Sequence, residues 1–234
     1  MSKKLRLHQF LMQTGEFEKA WDVKKAVENQ EITINDDIVA NPDYQLKPNK
    51  DIVKYNNKQL KPTRKLYYVM NKPAGYVCQK SSKELTIYDL FKKIKISDRE
   101  RNSLFAVGRL DKNTEGLIII TNDGNYSNQL MQPGKEKEKT YFVIVKEPIS
   151  YEEIKLLTKG VKIFIDDKPY TTKPCKIEPI NDTRFRIILT EGKKNQIRKM
   201  VKTADNEVIA LKREAIGDIK LNNLKSGEAR ILER

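Results

Sequence analysis

Short runs rich in β-branched and aromatic residues recur after residue 60 and limit the folds open to this chain. The runs are Leu66–Met70, Leu104–Val107, Leu117–Thr121, Tyr141–Val145, Val161–Ile165, Arg184–Thr190 and Val208–Leu211. Turn-forming segments such as "NKPAG", "DDKP" and "EGKK" separate many of them. Because helical patterns are fewer, the chain is predicted to form an α+β domain with a mostly antiparallel sheet.

Two helices are predicted in this part of the chain. Ser150 and Glu153 have the spacing of a capping box, and Gly160 can end the helix that they begin. Asn195 is expected to cap a second helix, "QIRKMVKTA".

A polar, basic segment, "NNKQLKPTRK" at residues 56–65, divides the chain. It contains Pro62 and precedes the apolar run "LYYVM", so we place a domain boundary near residue 60. The predicted domains are therefore a small one over residues 1–60 and a larger one over residues 61–234. In the small domain, apolar residues at helical spacing predict one helix that ends at Gly15 and a second helix that contains Trp21. Trp21 is expected to lie in the core rather than to stack on a nucleic-acid base.

The charge and the scarcity of histidine and cysteine restrict the function. The 234 residues carry a net charge of +14, which indicates a polyanionic partner, most commonly nucleic acid. His8 is the only histidine, which excludes Ser-His-Asp and Cys-His catalysis and a His-rich metal site. Cys78 and Cys175 are far apart and are expected to be reduced thiols of a cytoplasmic protein. We find no signal peptide, membrane span or cofactor motif and expect no cofactor and no metal.

The segment "GRLDKNTEG", residues 108–116, places Asp111 just before the apolar run "LIIIT". The residues alone allow two interpretations. Asp111 could be a turn aspartate that pairs with Arg109 or caps a backbone N–H, or it could be a catalytic carboxylate.

Several motifs occur in a fixed order: "NKPAG", "GRLDKNTEGLIIITNDG", "EKTY", "EGKKNQIRKM" and "LKREAIG" followed by "GEARIL". Together they resemble the ribosomal RNA pseudouridine synthases of the RsuA-like family over residues 66–232. The first sixty residues are similar, more loosely, to the small α-L RNA-binding domain of that family. They have "AWDVKKA" and "EITIND" where the family favours a basic helix start and a glycine-containing hairpin.

The resemblance implies roles for particular residues. Asp111 matches the catalytic aspartate, which either attacks the anomeric carbon of the target nucleotide or removes its 2′ proton. Arg198 matches an arginine that pairs with this aspartate, and Tyr141 matches a tyrosine that packs on the target base. Leu211 falls where the family has an apolar residue that lines the pocket.

Further cations are candidates for RNA contact. Arg109 could fill the space that a flipped uridine leaves and contact phosphate, or it could be a structural partner of Asp111. Lys193, Lys194 and Lys199 could bind flanking phosphates, with a solvated surface as the alternative. In the small domain, Lys24 and Lys25 are expected to contact RNA.

Three other features are not expected to take part in catalysis. Lys72 of "NKPAG" should be structural or face phosphate, Cys78 should be a buried thiol, and "NDG" should form a hairpin turn.

The sequence therefore predicts a cofactor-independent, cytoplasmic, monomeric pseudouridine synthase that acts on ribosomal RNA and makes no membrane contact. Its expected catalytic domain has a mixed, mainly antiparallel sheet flanked by helices, preceded by a small α-L RNA-binding domain. "EKTYFVIVKEPIS" and "TTKPCKI" favour large-subunit or dual-specificity relatives, with small-subunit relatives close. The alternatives are a synthase that acts on transfer RNA and a non-catalytic RNA-binding or ribosome-assembly factor. A DNA-binding regulator is weaker, because no recognition-helix module is found.

Overall fold

The computed structural model describes residues 5–47, 50–132 and 137–233. The chain forms two compact units. The first contains the described residues up to Tyr67 together with Phe91–Phe105 and Thr121–Asp123, and the second contains the remainder. The first unit thus combines the N-terminal part of the chain with two segments that come later in the sequence.

Seven α-helices lie within the described residues. They are α1 Leu7–Thr14, α2 Ala20–Glu28, α3 Ile87–Leu90, α4 Asp98–Ser103, α5 Gly124–Met131, α6 Tyr151–Lys159 and α7 Gln196–Lys202, and a 3-10 turn, Phe91–Lys93, follows α3.

The strands are mostly short. They are β1 Leu5–Arg6, β2 Ile32–Ile34, β3 Asp37–Ile38, β4 Gln45–Leu46, β5 Val53–Tyr55, β6 Lys58–Gln59, β7 Tyr67–Lys72, β8 Phe105–Val107, β9 Glu115–Thr121, β10 Lys139–Val145, β11 Lys162–Ile165, β12 Lys168–Thr171, β13 Lys176–Asn181, β14 Arg184–Leu189, β15 Val208–Ile216, β16 Ile219–Lys220 and β17 Ala229–Ile231.

The first unit packs α1 and α2 against a small antiparallel sheet of order β3-β2-β5-β6. Leu7 and Leu11 are four residues apart on α1, so they share one face, and both are fully buried. Val23 and Val27 form the matching face of α2 and join the same apolar cluster. The chain reverses after α1 at Gly15, which has the left-handed backbone conformation.

Trp21 is not part of this core, which corrects the sequence prediction. Its side chain is 57% exposed. The buried face of α2 is set by Val23, Ala26 and Val27. Since successive helical residues are rotated by about 100°, residue 21 lies on the far side from residue 23. The ammonium groups of Lys24 and Lys25 lie 5.9 and 5.4 Å from the centre of the indole ring.

The segment "NDG" was expected to form a hairpin turn. Instead, it leads from β9 directly into α5. Its first residue is pinned by hydrogen bonds. The Asn122 side chain accepts from the backbone N–H of Leu66 at 2.9 Å and donates to the carbonyl of Arg64 at 2.7 Å. These bonds fix the end of β9, and the chain can begin a helix at Gly124.

The second unit is built largely on a mixed, mainly antiparallel sheet. Its strands follow the order β13-β14-β10-β15-β9-β7-β17, with β16 beside β15 and β8 beside β9. The pair β15 and β9 is parallel, whereas β10 runs antiparallel to both β14 and β15. Leu117–Ile120 of β9 are completely buried, which is expected of a central strand covered on both faces.

The predicted helices α6 and α7 are present. Ser150 and Glu153 form the capping box of α6, which ends at Gly160. The α7 helix begins after Asn195, but the Asn195 side chain makes no capping hydrogen bond, because its backbone is left-handed rather than extended. Within the described ranges, no helix is both long and apolar enough to cross a membrane.

Candidate active site

The loop between β8 and β9 carries Asp111 at the edge of a cavity of about 600 Å³ in the second unit. This volume lies within the range of small-molecule sites and can hold a nucleoside. The carboxylate is exposed, and the backbone carbonyl of Asp111 accepts from the N–H of Thr114 at 3.0 Å. The chain thus turns tightly after Asp111 and leaves its side chain free to face a ligand.

Most of the predicted site residues converge on this cavity. Those that line it with Asp111 are Arg109, Tyr141, Lys193, Lys194 and Leu211. Tyr141 and Leu211 come from the adjacent strands β10 and β15 and are only 8% and 6% exposed. An aromatic ring and an aliphatic side chain in a buried wall suit a flat, partly apolar ligand such as a nucleobase.

Arg109 is exposed at the cavity and does not pair with Asp111. The described residues provide no hydrogen-bond or ion-pair partner for its guanidinium. The structural-pairing interpretation therefore finds no support, and the side chain is available to an external anion.

Arg198 departs from the prediction that it pairs with Asp111. Its Nη1 donates to the carbonyl of Val208 at 2.8 Å, and its Nη2 donates to the carbonyl of Asn113 at 3.2 Å. No ion pair joins it to Asp111 within the described part of the chain, and Arg198 is not among the residues that line the cavity. The reason is that both ends of the guanidinium are occupied by backbone acceptors, one of them two residues after Asp111. Arg198 therefore holds the loop rather than the carboxylate.

Lys72 supports the same loop from the protein interior. Its side chain is fully buried, and its ammonium donates to the carbonyls of Pro73, Lys112 and Thr114 at 3.0, 2.9 and 2.8 Å. Burial lowers the pKa of Lys72. Of the two roles expected for this lysine, the structural one is therefore found, because a phosphate cannot reach it.

Cys78 completes this support and is a buried thiol, as predicted. Its Sγ donates to the carbonyl of Leu110 and accepts from the N–H of the same residue, both at 3.3 Å. Burial raises the pKa of the Cys78 thiol. A thiol held in this way is a poor nucleophile.

The basic loop after β14 is held by a buried carboxylate that the sequence analysis did not identify. Glu191 accepts from the N–H of Lys173 at 3.0 Å, from the Gln196 amide at 2.6 Å and from the Tyr170 hydroxyl. The hydrogen bond to Glu191 raises the pKa of Tyr170 to about 12. These bonds fix the start of α7 and the loop that brings Lys193 and Lys194 to the cavity.

The predicted phosphate-binding lysines differ in their surroundings. The ammonium of Lys193 lies 4.8 Å from the Tyr170 ring centre. Lys194 pairs with Asp166 at 2.6 Å, and both side chains are exposed. Lys199 donates to the carbonyl of Phe164 at 2.6 Å and does not line the cavity. Within the described residues, Lys193 is thus the one of the three whose ammonium group makes neither a hydrogen bond nor an ion pair.

Sequence reasoning also missed Arg213, which lines the cavity and is only 3% exposed. A signal for it was available. Arg213 is two residues after Leu211, so on a strand both side chains lie on the same face.

The described residues contain no group of three or more His, Cys, Asp or Glu side chains that could hold a metal ion. The side chains that line the cavity include one exposed carboxylate, an aromatic ring and several cations.

Comparison with known proteins identifies the family. Residues 66–203 match the family model described as RNA pseudouridylate synthase. A ribosomal small subunit pseudouridine synthase A from Yersinia pestis is 32% identical over 229 residues, which cover 97% of this chain and 94% of that protein. A protein of Bacillus subtilis named as an uncharacterized RNA pseudouridine synthase is 40% identical over 173 residues, covering 71% of this chain and 70% of that one.

A crystal structure of a pseudouridylate synthase superposes with a TM-score of 0.68 at 29% sequence identity, and it covers 98% of this chain and 96% of that one. The likeness in fold and the likeness in sequence thus both extend over almost the whole chain. The chain therefore belongs to the RNA pseudouridylate synthase family, and its activity is that of an RNA pseudouridine synthase.

Proposed function

We propose that this enzyme converts a uridine of small-subunit ribosomal RNA to pseudouridine, with Asp111 as its catalytic residue. The observation that carries the proposal is the cavity that Asp111, Tyr141 and Leu211 line together with several cations. Relatives that match this chain over 97% of its length are named for the ribosomal small subunit. That favours the small subunit over the large-subunit relatives that two sequence segments had favoured.

The reaction rearranges one nucleotide without adding or removing atoms. The bond between C1′ of ribose and N1 of uracil breaks, the base turns while bound, and C5 of uracil joins C1′. The proton on C5 is lost, and N1 gains one. Asp111 begins this sequence either by attacking C1′ or by removing the 2′ proton, and both routes need an ionised carboxylate within reach of the ribose.

Tyr141 and Leu211 form the wall against which the base turns. A flat ring contacts uracil through its face, and this contact does not depend on the rotation of the base in its own plane. The target nucleotide must first leave its stack, because a carboxylate cannot reach C1′ within a helix. Arg109 is then positioned to occupy the vacated space or to contact the adjacent phosphate.

Arg198 and Lys72 position Asp111 indirectly. Arg198 holds the carbonyl of Asn113, and Lys72 holds those of Lys112 and Thr114. Three consecutive carbonyls of the loop are thus bonded to cations. A carboxylate on a fixed loop loses less entropy when it reaches the transition-state geometry.

Cations at the cavity and beyond it would bind the flanking RNA. Lys193 is available at the cavity, and Lys194 and Lys199 can exchange their present partners for phosphate. In the first unit, Lys24 and Lys25 flank the exposed ring of Trp21, which suits stacking on an unpaired base. We propose that residues 1–60 serve as an α-L-like RNA-binding domain.

The proposed enzyme needs no cofactor, since isomerisation involves no external electron or group carrier. It acts as a monomer in the cytoplasm, where ribosomal RNA is assembled into subunits.

The test is pseudouridine mapping of total RNA from cells with the gene and from cells without it. Three further strains restore the deleted gene as wild type, as Asp111→Asn or as Asp218→Asn. Asp218 is an exposed carboxylate that does not line the cavity, so its variant has the same charge change. We expect a single site in small-subunit ribosomal RNA to be lost on deletion and restored by wild type and Asp218→Asn alone.

Other outcomes would redirect the proposal. A lost site in transfer RNA or large-subunit RNA would change the substrate and leave the chemistry intact. Restoration by Asp111→Asn would remove Asp111 from the catalytic role. Loss of no site, with RNA binding retained, would favour the non-catalytic assembly factor.

A further inference from the structure

Arg213 is a buried cation in the wall of the cavity that the proposed mechanism does not yet use. It lies on β15, where its cross-strand neighbour on β10 is Tyr141. Its guanidinium carbon is 6.0 Å from the centre of the Tyr141 ring. The positive charge therefore lies beside the ring against which the target base is proposed to pack.

The arginine is anchored at one nitrogen. Its Nε donates to the carbonyl of Leu117 at 2.7 Å. The approach of β15 to β9 depends on Gly116, because a Cβ at this position would lie 2.2 Å from the carbonyl oxygen of Arg213. Gly116 also has a φ of 101°, which other residues rarely adopt. The loop that carries Asp111 thus leads into Gly116, which lies against the backbone of Arg213.

The other end of the guanidinium has no partner. Nη2 is buried, and no group in the described residues forms a hydrogen bond with it. No ion pair with Arg213 is found in the described ranges either. The buried carboxylate of the same cavity, Glu191, is already bonded to Tyr170, Lys173 and Gln196. A buried charged donor without an acceptor is unfavourable, which indicates that a ligand supplies the acceptor.

The proposed reaction generates such an acceptor. When the C1′–N1 bond breaks, its electron pair stays with uracil, and the base becomes an anion whose charge is shared by N1, O2 and O4. This holds whether Asp111 attacks C1′ or removes the 2′ proton. The anion is consumed when C5 bonds to C1′ and the C5 proton leaves.

We propose that Arg213 binds a carbonyl oxygen of the target uracil through Nη2 and stabilises the negative charge that the base carries after its bond to ribose breaks. This inference rests on the proposed function. A fixed guanidinium in a buried site stabilises a developing anion more strongly than a solvated one does, because it is already oriented. Tyr141 holds the plane of the base, and Arg213 stabilises its charge.

The test compares two target nucleotides that differ in how well the base carries negative charge. Single-turnover rates are measured for wild type, Arg213→Gln and Arg213→Lys on the RNA that wild type modifies. The target position holds either uridine or 5-fluorouridine. Consumption of the target nucleotide is followed by nuclease digestion and chromatography. Fluorine withdraws electrons, so it stabilises the base anion without help from the protein.

We expect Arg213→Gln to slow consumption of uridine by about 100-fold, the order found when an oxyanion-stabilising donor is removed. The loss should be at least about tenfold smaller with 5-fluorouridine. Arg213→Lys should retain part of the rate, because it keeps the charge but not the planar fork. The matched control is Arg186→Gln on β14, which β10 separates from β15. Arg186 pairs with Glu214 at 2.7 Å and does not line the cavity, so both substrates should be consumed at the wild-type rate.

Equal losses on uridine and 5-fluorouridine would overturn the inference and leave Arg213 a structural role, since misfolding does not distinguish the leaving group. A wild-type rate in Arg213→Gln would overturn it as well, while activity of wild type leaves the proposed function standing. A wild-type chain that isomerises no RNA would overturn the proposed function and this inference with it.

Discussion

Asp111 combines an exposed carboxylate with a firmly held backbone. Lys72 and Arg198 donate to the carbonyls of the three residues that follow it, so the loop is fixed while the side chain stays accessible. Such a division suits a residue that must meet a substrate in one geometry.

Replacing this carboxylate tests its role directly. Asp111→Asn should lower the single-turnover rate by at least about 100-fold, because the amide is neither a base nor a nucleophile. RNA affinity, measured by filter binding, should stay within about twofold, since the shape of the side chain is kept. Asp218→Asn is the control and should match wild type in both measurements. Substantial activity in Asp111→Asn would assign the chemistry to another group.

Arg198 should matter through the loop rather than through direct pairing. Arg198→Ala removes two hydrogen bonds from a charged donor, so we expect a loss in the free energy of unfolding of about 1–3 kcal/mol. Turnover should fall more than this loss explains, because the Asp111 loop becomes mobile. Arg198→Lys should recover part of the rate, since an ammonium can reach one carbonyl.

Rates and denaturant unfolding measured on the same preparations separate these effects. A rate that follows only the folded fraction would show that Arg198 is purely structural. Full activity of Arg198→Ala would show that the loop holds its position without the arginine.

At the scale of elements, α4 shows how a short helix is stabilised at its first turn. Ser97 and Glu100 form a reciprocal capping box, and Arg64 donates from Nε to Glu100 at 2.5 Å. The pattern "SDRE" has the spacing of a capping box and could have indicated this helix, although the helix was not predicted.

This cap gives a pH-dependent contribution to stability. The hydrogen bond from Arg64 lowers the pKa of Glu100 to about 2, below the ordinary value of 4.5. A carboxyl group whose pKa is lower in the folded chain than in the unfolded chain stabilises the fold at pH values above the unfolded pKa. This contribution is lost as the pH falls from about 4.5 towards 2. Wild type should therefore lose stability over this range more steeply than Glu100→Gln.

The check is the denaturation midpoint measured in steps from about pH 6 to about pH 2, a range that covers the interval between the unfolded and folded pKa values of Glu100. Arg64→Gln removes the first cause of the shift and should flatten the profile in the same way. Parallel profiles for wild type and both variants would rule out this contribution.

At the scale of the whole molecule, the first unit is not one continuous stretch of chain. The segment Phe91–Phe105 returns to it after the second unit has begun. Arg99 donates from Nε to the carbonyl of Thr14 at 3.1 Å, and Asn102 donates to the carbonyl of Gly15 at 3.3 Å. The N-terminal helix α1 is thus bonded to residues about ninety positions later, a separation on the order that makes folding depend on non-local contacts.

Gly15 tests this connection. It has a φ of 67°, and a Cβ there would lie 1.7 Å from the carbonyl oxygen of Arg99. Gly15→Ala should therefore destabilise the protein by about 2–4 kcal/mol, since both the backbone strain and the clash oppose it. Gly124→Ala is the control. Nothing lies within 4 Å of its Cβ position and it begins α5, so this change should be neutral or stabilising.

Thermal unfolding monitored by circular dichroism measures both variants. Equal stability of Gly15→Ala and wild type would show that α1 can separate from Arg99 at no cost.

Local sequence patterns predicted many of the elements and six of the residues that line the cavity. Strands and capping boxes depend on neighbours two to four residues away, so the apolar runs indicated strands and the Ser150–Glu153 spacing correctly predicted the start of α6. The ordered motifs likewise indicated the family and identified Asp111, Tyr141 and Leu211 as candidate site residues.

Only the tertiary structure decided which groups meet. Arg198 reaches the carbonyl of Asn113, 85 positions away, instead of Asp111, and Arg213 is anchored to Leu117 across 96 positions. Trp21 is exposed because the opposite face of α2, with Val23 and Val27, packs in the core. Such choices follow from the competition of all acceptors and apolar surfaces within reach in the folded chain, and that competition is not present in any local stretch of sequence.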